Sequence, residues 1–249
     1  RAPISKSYSL KELQSQFDCK IYLRRSRKKF EVPTIIEITE ELAILCGIMC
    51  GDGHIKHHTG KSCRSIYHFT FTGLKDLSNT WEKSKHDINK QNIRNIFKQC
   101  LQKIFGINTF SENKIQIKFY GKLMYYIFML LGVVNKSGEK QVPEFIFNSN
   151  KNIQEAFLWG LYLSDGSKKF DYRKSIINDD NFSATVIHNT SRPLIAGIVS
   201  LCQIIGLRGY LDTPKVTNDR KFRYNYSIID PFYCIKPTRK NKNKLDYTE

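Results

Sequence analysis

One segment of this chain is written twice, and that internal repeat constrains the fold more than any other feature. ELAILCGIMCGDGHIK at 41–56 is similar to EAFLWGLYLSDGSKKF at 155–170, and superposing Leu45 on Leu158 places Asp52 on Asp165. Each copy is an apolar run with helical spacing that ends in Asp-Gly. Self-similarity of this kind indicates a repeated structural unit, so the chain is predicted to contain two similar halves.

Glycine recurs inside both helical segments, where it costs about 1 kcal/mol relative to alanine. Gly47 and Gly51 are four residues apart on one face of the first segment, and Gly160 and Ser164 match them in the second. Small residues at this spacing let two helix backbones approach closely. The two helices are therefore predicted to pack on each other, with Gly47 and Gly160 in the interface.

The segments that follow the two repeated helices are also alike. Longer helical stretches are predicted from about Leu77 to Phe105 and from about Arg192 to Ile205, and the glycine after each suits a left-handed C′ position. Alternation of apolar and polar residues predicts strands on both sides of these helices, at 65–72, 114–120, 182–188 and 221–229. Each half thus reads helix, strands, helix, strands, which is an α+β organisation.

The charge of the chain indicates its partner. Lys and Arg total 40 against 23 Asp and Glu, a formal charge of +17, which favours a polyanion such as nucleic acid. The polar faces of the strands carry side chains that reach phosphates and base edges, although an ordinary solvated sheet face has the same pattern. The candidate DNA-binding residues are Arg64, His68, Thr70, Lys114, Gln116, Lys118, Lys221, Arg223, Asn225 and Ser227.

Apolar stretches and cysteines indicate the cellular compartment in which the protein is expected. The apolar stretch at 123–134 is shorter than the ~20 residues of a membrane span, so it is predicted to be a buried helix. The seven cysteines are an odd number in scattered positions, and no signal peptide opens the sequence. We expect a reduced, intracellular protein that does not bind membranes, in a compartment that the sequence leaves open.

The two acids suggest a chemistry. If the repeated helices pack in parallel, Asp52 and Asp165 meet at one end, where their mutual repulsion and the helix dipoles are both unfavourable. A hard divalent cation such as Mg²⁺ relieves both effects. Paired acids that hold metal beside a basic surface indicate phosphodiester hydrolysis. The plainer alternative is that Asp-Gly simply stops each helix.

LCGIMCGDG at 45–53 and LWGLYLSDG at 158–166 resemble the paired signature motifs of LAGLIDADG homing endonucleases of the dodecapeptide type, in their single-chain form. KQVPEF at 140–145 resembles the Lys-x-x-Pro element that precedes the second motif in intein-type members. The resemblance implies two pseudosymmetric αββαββα halves, predicted at 36–148 and 149–249 after a basic extension at 1–35. It also implies signature helices at a central interface and antiparallel sheets that form a saddle over DNA.

The resemblance further implies a monomeric enzyme that cuts both strands of a long, asymmetric double-stranded DNA site and leaves 3′ overhangs. Mg²⁺ is the expected cofactor and Mn²⁺ a substitute. Asp52 and Asp165 would bind metal, with carbonyl ligands from Gly51 and Ser164. Lys140 would stabilise developing charge. Lys236 is its first candidate counterpart for the second half, ahead of Lys168, and Lys75 is a further candidate in the first half.

Several alternatives stay open at this stage. The same basic saddle could serve an intron RNA maturase or a catalytically silent DNA-binding protein. The chain could be intron-encoded, intein-derived or free-standing. A zinc site is a weaker hypothesis that rests on the closeness in sequence of Cys46, Cys50, His54, His57 and His58.

Overall fold

The computed structural model describes residues 36–59, 65–72, 80–113, 116–133, 136–170, 182–212, 214–216 and 222–228. The first half contains helices α1 (Glu40–Gly51), α2 (Thr80–Phe105) and α3 (Lys122–Leu130), with strands β1 (Gly53–Thr59), β2 (Ser65–Thr72), β3 (Ser111–Glu112) and β4 (Gln116–Tyr120). The short helix α4 (Glu144–Phe147) comes next, before the second half, which contains helices α5 (Lys151–Asp165) and α6 (Arg192–Ile205), with strands β5 (Gly166–Phe170), β6 (Phe182–Asn189), β7 (Gly209–Leu211), β8 (Lys215–Val216) and β9 (Phe222–Ile228).

Local sequence explains where the main helices begin and end. The side chains of Thr39, Asn150 and Ser191 each accept a backbone N–H in the first turn of α1, α5 and α6, respectively. Gly106 and Gly206, which follow α2 and α6, have φ of +65° and +82°. Both glycines therefore adopt the left-handed conformation predicted from the sequence, which other residues take up at a cost.

The two sheets have the same antiparallel topology. In the first, the strand order is β1-β2-β4-β3, and in the second it is β5-β6-β9-β7, with β8 paired to the outer part of β9. Corresponding strands thus occupy corresponding places, and each sheet follows directly on a repeated helix. The structure confirms the predicted α+β fold of two similar halves.

The repeated helices α1 and α5 form the most extensive contact between any two described elements. A methyl group on Gly47 would lie 2.7 Å from the Leu161 nitrogen, and closer still to the Phe157 carbonyl. A methyl group on Gly160 would lie 2.8 Å from the carbonyl carbon of Ile44. Both glycines thus lie where the helix backbones meet, because any side chain there would overlap main-chain atoms.

Helix α1 is central to the molecule, since every residue from Glu41 to Gly51 is buried. The one carboxylate in this run, Glu41, is paired with Lys103 of α2. Although burial raises the pKa of Glu41, the hydrogen bond from Lys103 and further local hydrogen bonds lower it overall. The ion pair therefore allows a charged residue at the start of an otherwise buried helix.

The apolar stretch at 123–134 was predicted to be a buried helix, but the structure buries only part of it. Helix α3 ends at Leu130, and Gly132 follows with φ of +74°. Leu123, Met124, Ile127 and Phe128 are buried, whereas Met129 and Leu130 are exposed. The helix therefore packs through one face only. Among the described residues, no helix has the length and hydrophobicity that a membrane crossing requires.

Buried thiols make the fold sensitive to alkali. Burial is the main cause that raises the pKa of Cys50, Cys100 and Cys202 from 9.0 to about 12. In the unfolded chain these thiols ionise first, so their contribution to stability is complete below pH 9.0 and is lost as pH rises toward about 12.

We expect Cys202→Ala to reduce the pH dependence of stability. Between pH ~9 and ~12 the wild type should lose about 1.4 kcal/mol of unfolding free energy per pH unit for each such thiol, and the variant should lose that much less. Urea unfolding under reducing conditions at pH ~8 and ~10 measures the difference. Ser200→Ala, at an exposed position of the same helix, is the control and should keep the wild-type slope.

Candidate active site

The two repeated acids lie together at one end of the helix pair. Asp52 caps the C-terminus of α1, where its N–H donates to the Ile48 carbonyl, and Asp165 is the last residue of α5. A methyl group on Gly51 would lie 2.8 Å from Ser164 Cβ and 3.3 Å from Asp165 Cγ. Because Gly47 contacts Gly160 and Gly51 contacts Ser164, the helices run parallel and end side by side.

Lys140 lies between these helix ends and is 7% exposed. Its ammonium group donates to the carbonyls of Met49 at 3.4 Å and Gly53 at 3.0 Å, and also to the carbonyl of Gly51. The Met49 and Gly51 oxygens belong to the last turn of α1 and carry the negative end of its dipole, so the cation stabilises the end of the helix. The Gly51 carbonyl was predicted to bind metal, and in that role it would share its oxygen with Lys140.

Two opposing effects set the protonation of Lys140. Burial lowers its pKa, while the charges of Cys50, Asp165 and Asp52 oppose that shift and raise it. The effect of burial is the larger, so the pKa of Lys140 lies below its ordinary value, while both acids favour its charged form. An ammonium group in this position can offset negative charge on an oxygen that reacts beside the acids.

A chain of hydrogen bonds orients Asp165 from β6. Asn189 Nδ2 donates to Asp165 Oδ2 at 2.6 Å, and Asn189 Oδ1 accepts the N–H of Ser191 at 2.7 Å. The amide is therefore fixed at both ends, with its nitrogen toward the carboxylate. Ser191 Oγ in turn donates to the carbonyl of Lys140 at 2.5 Å.

A cleft of about 300 Å³ lies beside this cluster. His188 in its wall is paired with Asn225, with 2.8 Å between His188 Nδ1 and Asn225 Oδ1. One basic side chain predicted to bind DNA, Arg223, also borders the cleft. The residues around the cleft are Gly51, Ser137, Lys140, Asp165, His188, Asn189, Thr190 and Arg223. Asp165 and Lys140 thus border a concave surface.

The other residues that were predicted to bind DNA include both exposed and buried side chains. Gln116 and Lys118 of β4 are partly exposed, and Arg223 of β9 is exposed. Asn225 is 8% exposed and Ser227 is fully buried, because β9 is an inner strand covered on both faces toward its end. In this packing Ser227 cannot reach DNA, which corrects the prediction for that residue. His68 and Thr70 lie on β2.

Other sequence predictions fall outside the described residues. These are the basic extension at 1–35 and the side chains of Arg64, Lys75, Lys114, Lys221 and Lys236. Lys168 lies on β5, next to the end of α5.

Sequence reasoning missed His188, Asn189 and Ser191, which join the site through β6 and its turn into α6. A partial signal was present, because Ser followed by Arg-Pro at 191–193 is typical of a helix start. This signal predicts that Ser191 caps a helix, but it does not predict that the turn before the helix faces Asp165. That proximity arises from the pairing of β5 with β6, which brings Gly166 opposite Ile187.

The donor groups at the paired helix ends suit a hard cation. They are the carboxylates of Asp52 and Asp165 and the backbone carbonyls beside them, the ligand types that Mg²⁺ prefers. The described residues contain no cluster of three or more His, Cys, Asp or Glu, so an ion here would complete its shell with water and substrate oxygens. Zinc fits less well, because Cys46 and Cys50 are buried thiols whose pKa burial raises.

No protein-family model matches the chain. Among curated proteins, the alpha subunit of ribonucleoside-diphosphate reductase NrdEB from Bacillus subtilis (strain 168) is 27% identical over 152 residues, covering 61% of this chain and 13% of that protein. A DNA polymerase from Thermococcus kodakarensis is 24% identical over 207 residues, covering 81% of this chain and 11% of that protein. The chain thus matches only a small part of each relative's length.

Solved structures give a likeness over most of the chain. The homing endonuclease I-DmoI in complex with DNA and Mn is 20% identical, covers 77% of this chain and 90% of that chain, and has a TM-score of 0.50. A double variant of I-DmoI with its target DNA nicked in the coding strand, in the presence of Mn, is 19% identical with 77% and 89% coverage and a TM-score of 0.52. The chain therefore has the single-chain LAGLIDADG fold that the repeated motifs predicted.

Proposed function

We propose that the chain is a site-specific DNA endonuclease that hydrolyses phosphodiester bonds in both strands of a duplex. The observation that carries this proposal is the cluster of Asp52, Asp165 and Lys140 at the joined ends of two parallel helices, beside a cleft. Packing alone gives no reason to place two acids at the negative ends of neighbouring helices, where each is unfavourable. Phosphodiester hydrolysis does give a reason, since it needs anionic side chains that bind a metal ion and a nearby cation that stabilises charge on the phosphate.

Asp52 and Asp165 would hold Mg²⁺, or Mn²⁺ in its place, with the carbonyls of Ser164 and Gly51 as further ligands. When bound, the ion supplies Lewis acidity and lowers the pKa of water. Asn189 fixes one oxygen of Asp165, so the carboxylate keeps a defined orientation. Lys140 supplies a buried positive charge that stabilises charge developing on the phosphate oxygens.

The charge of +17 and the exposed strand residues support duplex DNA as the substrate. Arg223 borders the cleft that contains Asp165, so it would contact DNA close to the cleaved phosphate. Lys118 and Gln116 occupy the equivalent strand of the first sheet. We also propose a monomer with halves at 36–148 and 149–249, since the chain carries both acids, and cleavage that leaves 3′ overhangs as the family resemblance implies.

The comparisons support an origin inside host proteins. The two matched relatives are a reductase subunit and a polymerase, and the similar segment makes up only 13% and 11% of them. Similar segments in proteins of unrelated activity are expected for an inserted element, such as an intein. We therefore favour an intein-associated origin over an intron-encoded or free-standing enzyme.

Selection of a target tests the function directly. The purified chain is incubated with a randomised duplex library and Mg²⁺, and cut molecules are sequenced. We expect recovery of one long, asymmetric site, cut in both strands, and no cutting when EDTA removes the metal. Binding of a selected duplex without cleavage at any metal concentration would contradict the enzymatic proposal and favour a silent DNA-binding protein. Tight binding to intron RNA alone would favour a maturase.

A further inference from the structure

We propose that Ser191 is a positioning residue that holds Lys140 and Asp165 in a fixed relation across the two halves. The proposal rests on the function proposed above and assigns a role in it to a residue outside the acids and the lysine. Ser191 begins α6 and is completely buried. Its hydroxyl and its backbone N–H make three hydrogen bonds, and two of these lead to the active-site cluster.

The hydroxyl of Ser191 makes two of these contacts. It donates to the carbonyl oxygen of Lys140 at 2.5 Å and accepts the N–H of Leu194 at 3.4 Å. A hydroxyl has a single hydrogen to donate, so the bond to Lys140 defines its rotation. One side chain therefore caps α6 and holds the backbone of Lys140 against that helix.

The backbone of Ser191 makes the third contact. Its N–H donates to Asn189 Oδ1 at 2.7 Å, which leaves Asn189 Nδ2 to donate to Asp165 Oδ2 at 2.6 Å. A change in the position of Ser191 would move both partners at once. The orientation of the Asp165 carboxylate and the position of the Lys140 backbone thus depend on the same residue.

Packing of Val142 on α6 also fixes the segment that contains Lys140. A methyl group on Gly197 of α6 would lie 2.7 Å from Val142 Cγ2 and 3.2 Å from Val142 Cβ, so the segment packs closely on this helix. The ammonium group of Lys140 meanwhile reaches the carbonyls that end α1. Lys140 therefore joins α6 of the second half to α1 of the first, and Ser191 is its nearest anchor.

Substitutions can separate positioning from helix capping. Glycine is nearly as good as serine at an N-cap, so Ser191→Gly keeps the cap and the backbone N–H but loses the bond to Lys140. Ser191→Thr keeps the hydroxyl and is the conservative variant. Asn150→Ala removes the equivalent cap of α5 at the end far from the acids, so it controls for a general loss of helix stability.

Cleavage of the selected target is the first measurement. We expect Ser191→Gly to lower the single-turnover rate by about 10-fold to 100-fold, the scale for removing a residue that orients an active-site group, with little change in the Kd for DNA. Ser191→Thr should keep most of the wild-type cleavage rate. Wild-type rates in Ser191→Gly, or an equal rate loss in Asn150→Ala, would overturn the proposal.

Acetylation of lysines gives a readout that does not depend on cleavage. With acetic anhydride and mass spectrometry, Lys140 should react slowly in the wild type and several-fold faster in Ser191→Gly, relative to the exposed Lys136. A rate loss without faster acetylation of Lys140 would assign the effect elsewhere and overturn the proposal. If the wild type cuts no duplex, the proposed function fails, and acetylation still decides whether Ser191 holds Lys140.

Discussion

Asp165→Asn is expected to cut the selected duplex at least ~100-fold more slowly than the wild type, and Asp52→Asn should be similarly impaired. Asparagine keeps the shape of the side chain and can still accept the hydrogen bond from Asn189, so the difference is the lost negative charge. That charge is what holds a divalent cation beside the cleft. Single-turnover cleavage of each strand, across a range of Mg²⁺ concentrations, measures the effect.

Glu40→Gln is the matched control, because it removes a carboxylate from the opposite, exposed end of the same helix as Asp52. It should cut at close to the wild-type rate. The Tm of both aspartate variants should change little, because each substitution relieves repulsion between the acids but also removes an attraction to Lys140. Cleavage of both strands by either aspartate variant at the wild-type rate would show that the paired acids are not the catalytic centre.

Gly47→Ala and Gly160→Ala should have the largest effects on stability. Each added methyl group overlaps main-chain atoms of the facing helix, and backbone cannot move aside as a flexible side chain can. We expect each to lose about 3 kcal/mol of unfolding free energy, the upper end for overpacking, despite the better helix propensity of alanine. For a domain of this size that corresponds to roughly 6 to 12 °C in Tm.

Gly138→Ala provides the comparison for these variants, because Gly138 is exposed and a methyl group there meets nothing within 4 Å. Its Tm should stay within about 1 °C of the wild type. If Gly47→Ala matches Gly138→Ala in thermal and urea unfolding, the close contact of α1 and α5 does not exist in solution.

The sequence predicted much of the architecture correctly. Alternation located β2 at 65–72 with the bounds that the structure shows, and the helices that end at Phe105 and Ile205 end as predicted. These features depend on neighbours in sequence, such as the periodicity of apolar residues or the glycine that follows a helix. The packing of α1 on α5 was also predictable, because the repeat superposes their small residues.

Contacts between distant segments were harder to predict. Ser227 was assigned to DNA because it alternates with core residues, yet pairing of β9 with β6 and β7 buries it. The carbonyl of Gly51 was predicted to bind metal, but the hydrogen bond that it accepts from Lys140 was not predicted. Local sequence predicts which face of a strand Ser227 occupies and that Gly51 lies at a helix end. It does not predict which distant segment of the chain packs against either residue.

The sequence by itself determined that the chain has two related halves and that two small-residue helices join them, and it predicted that Asp52 and Asp165 meet at one end if those helices run parallel. A repeated pattern carries this information because equal sequences fold to equal units. The tertiary structure alone decided how Lys140, Asn189 and Ser191 connect those acids. Their contacts with one another's segments and with the helix ends, which arise through strand pairing and helix packing, include separations of 24, 51 and 91 positions in sequence, and no local pattern encodes these.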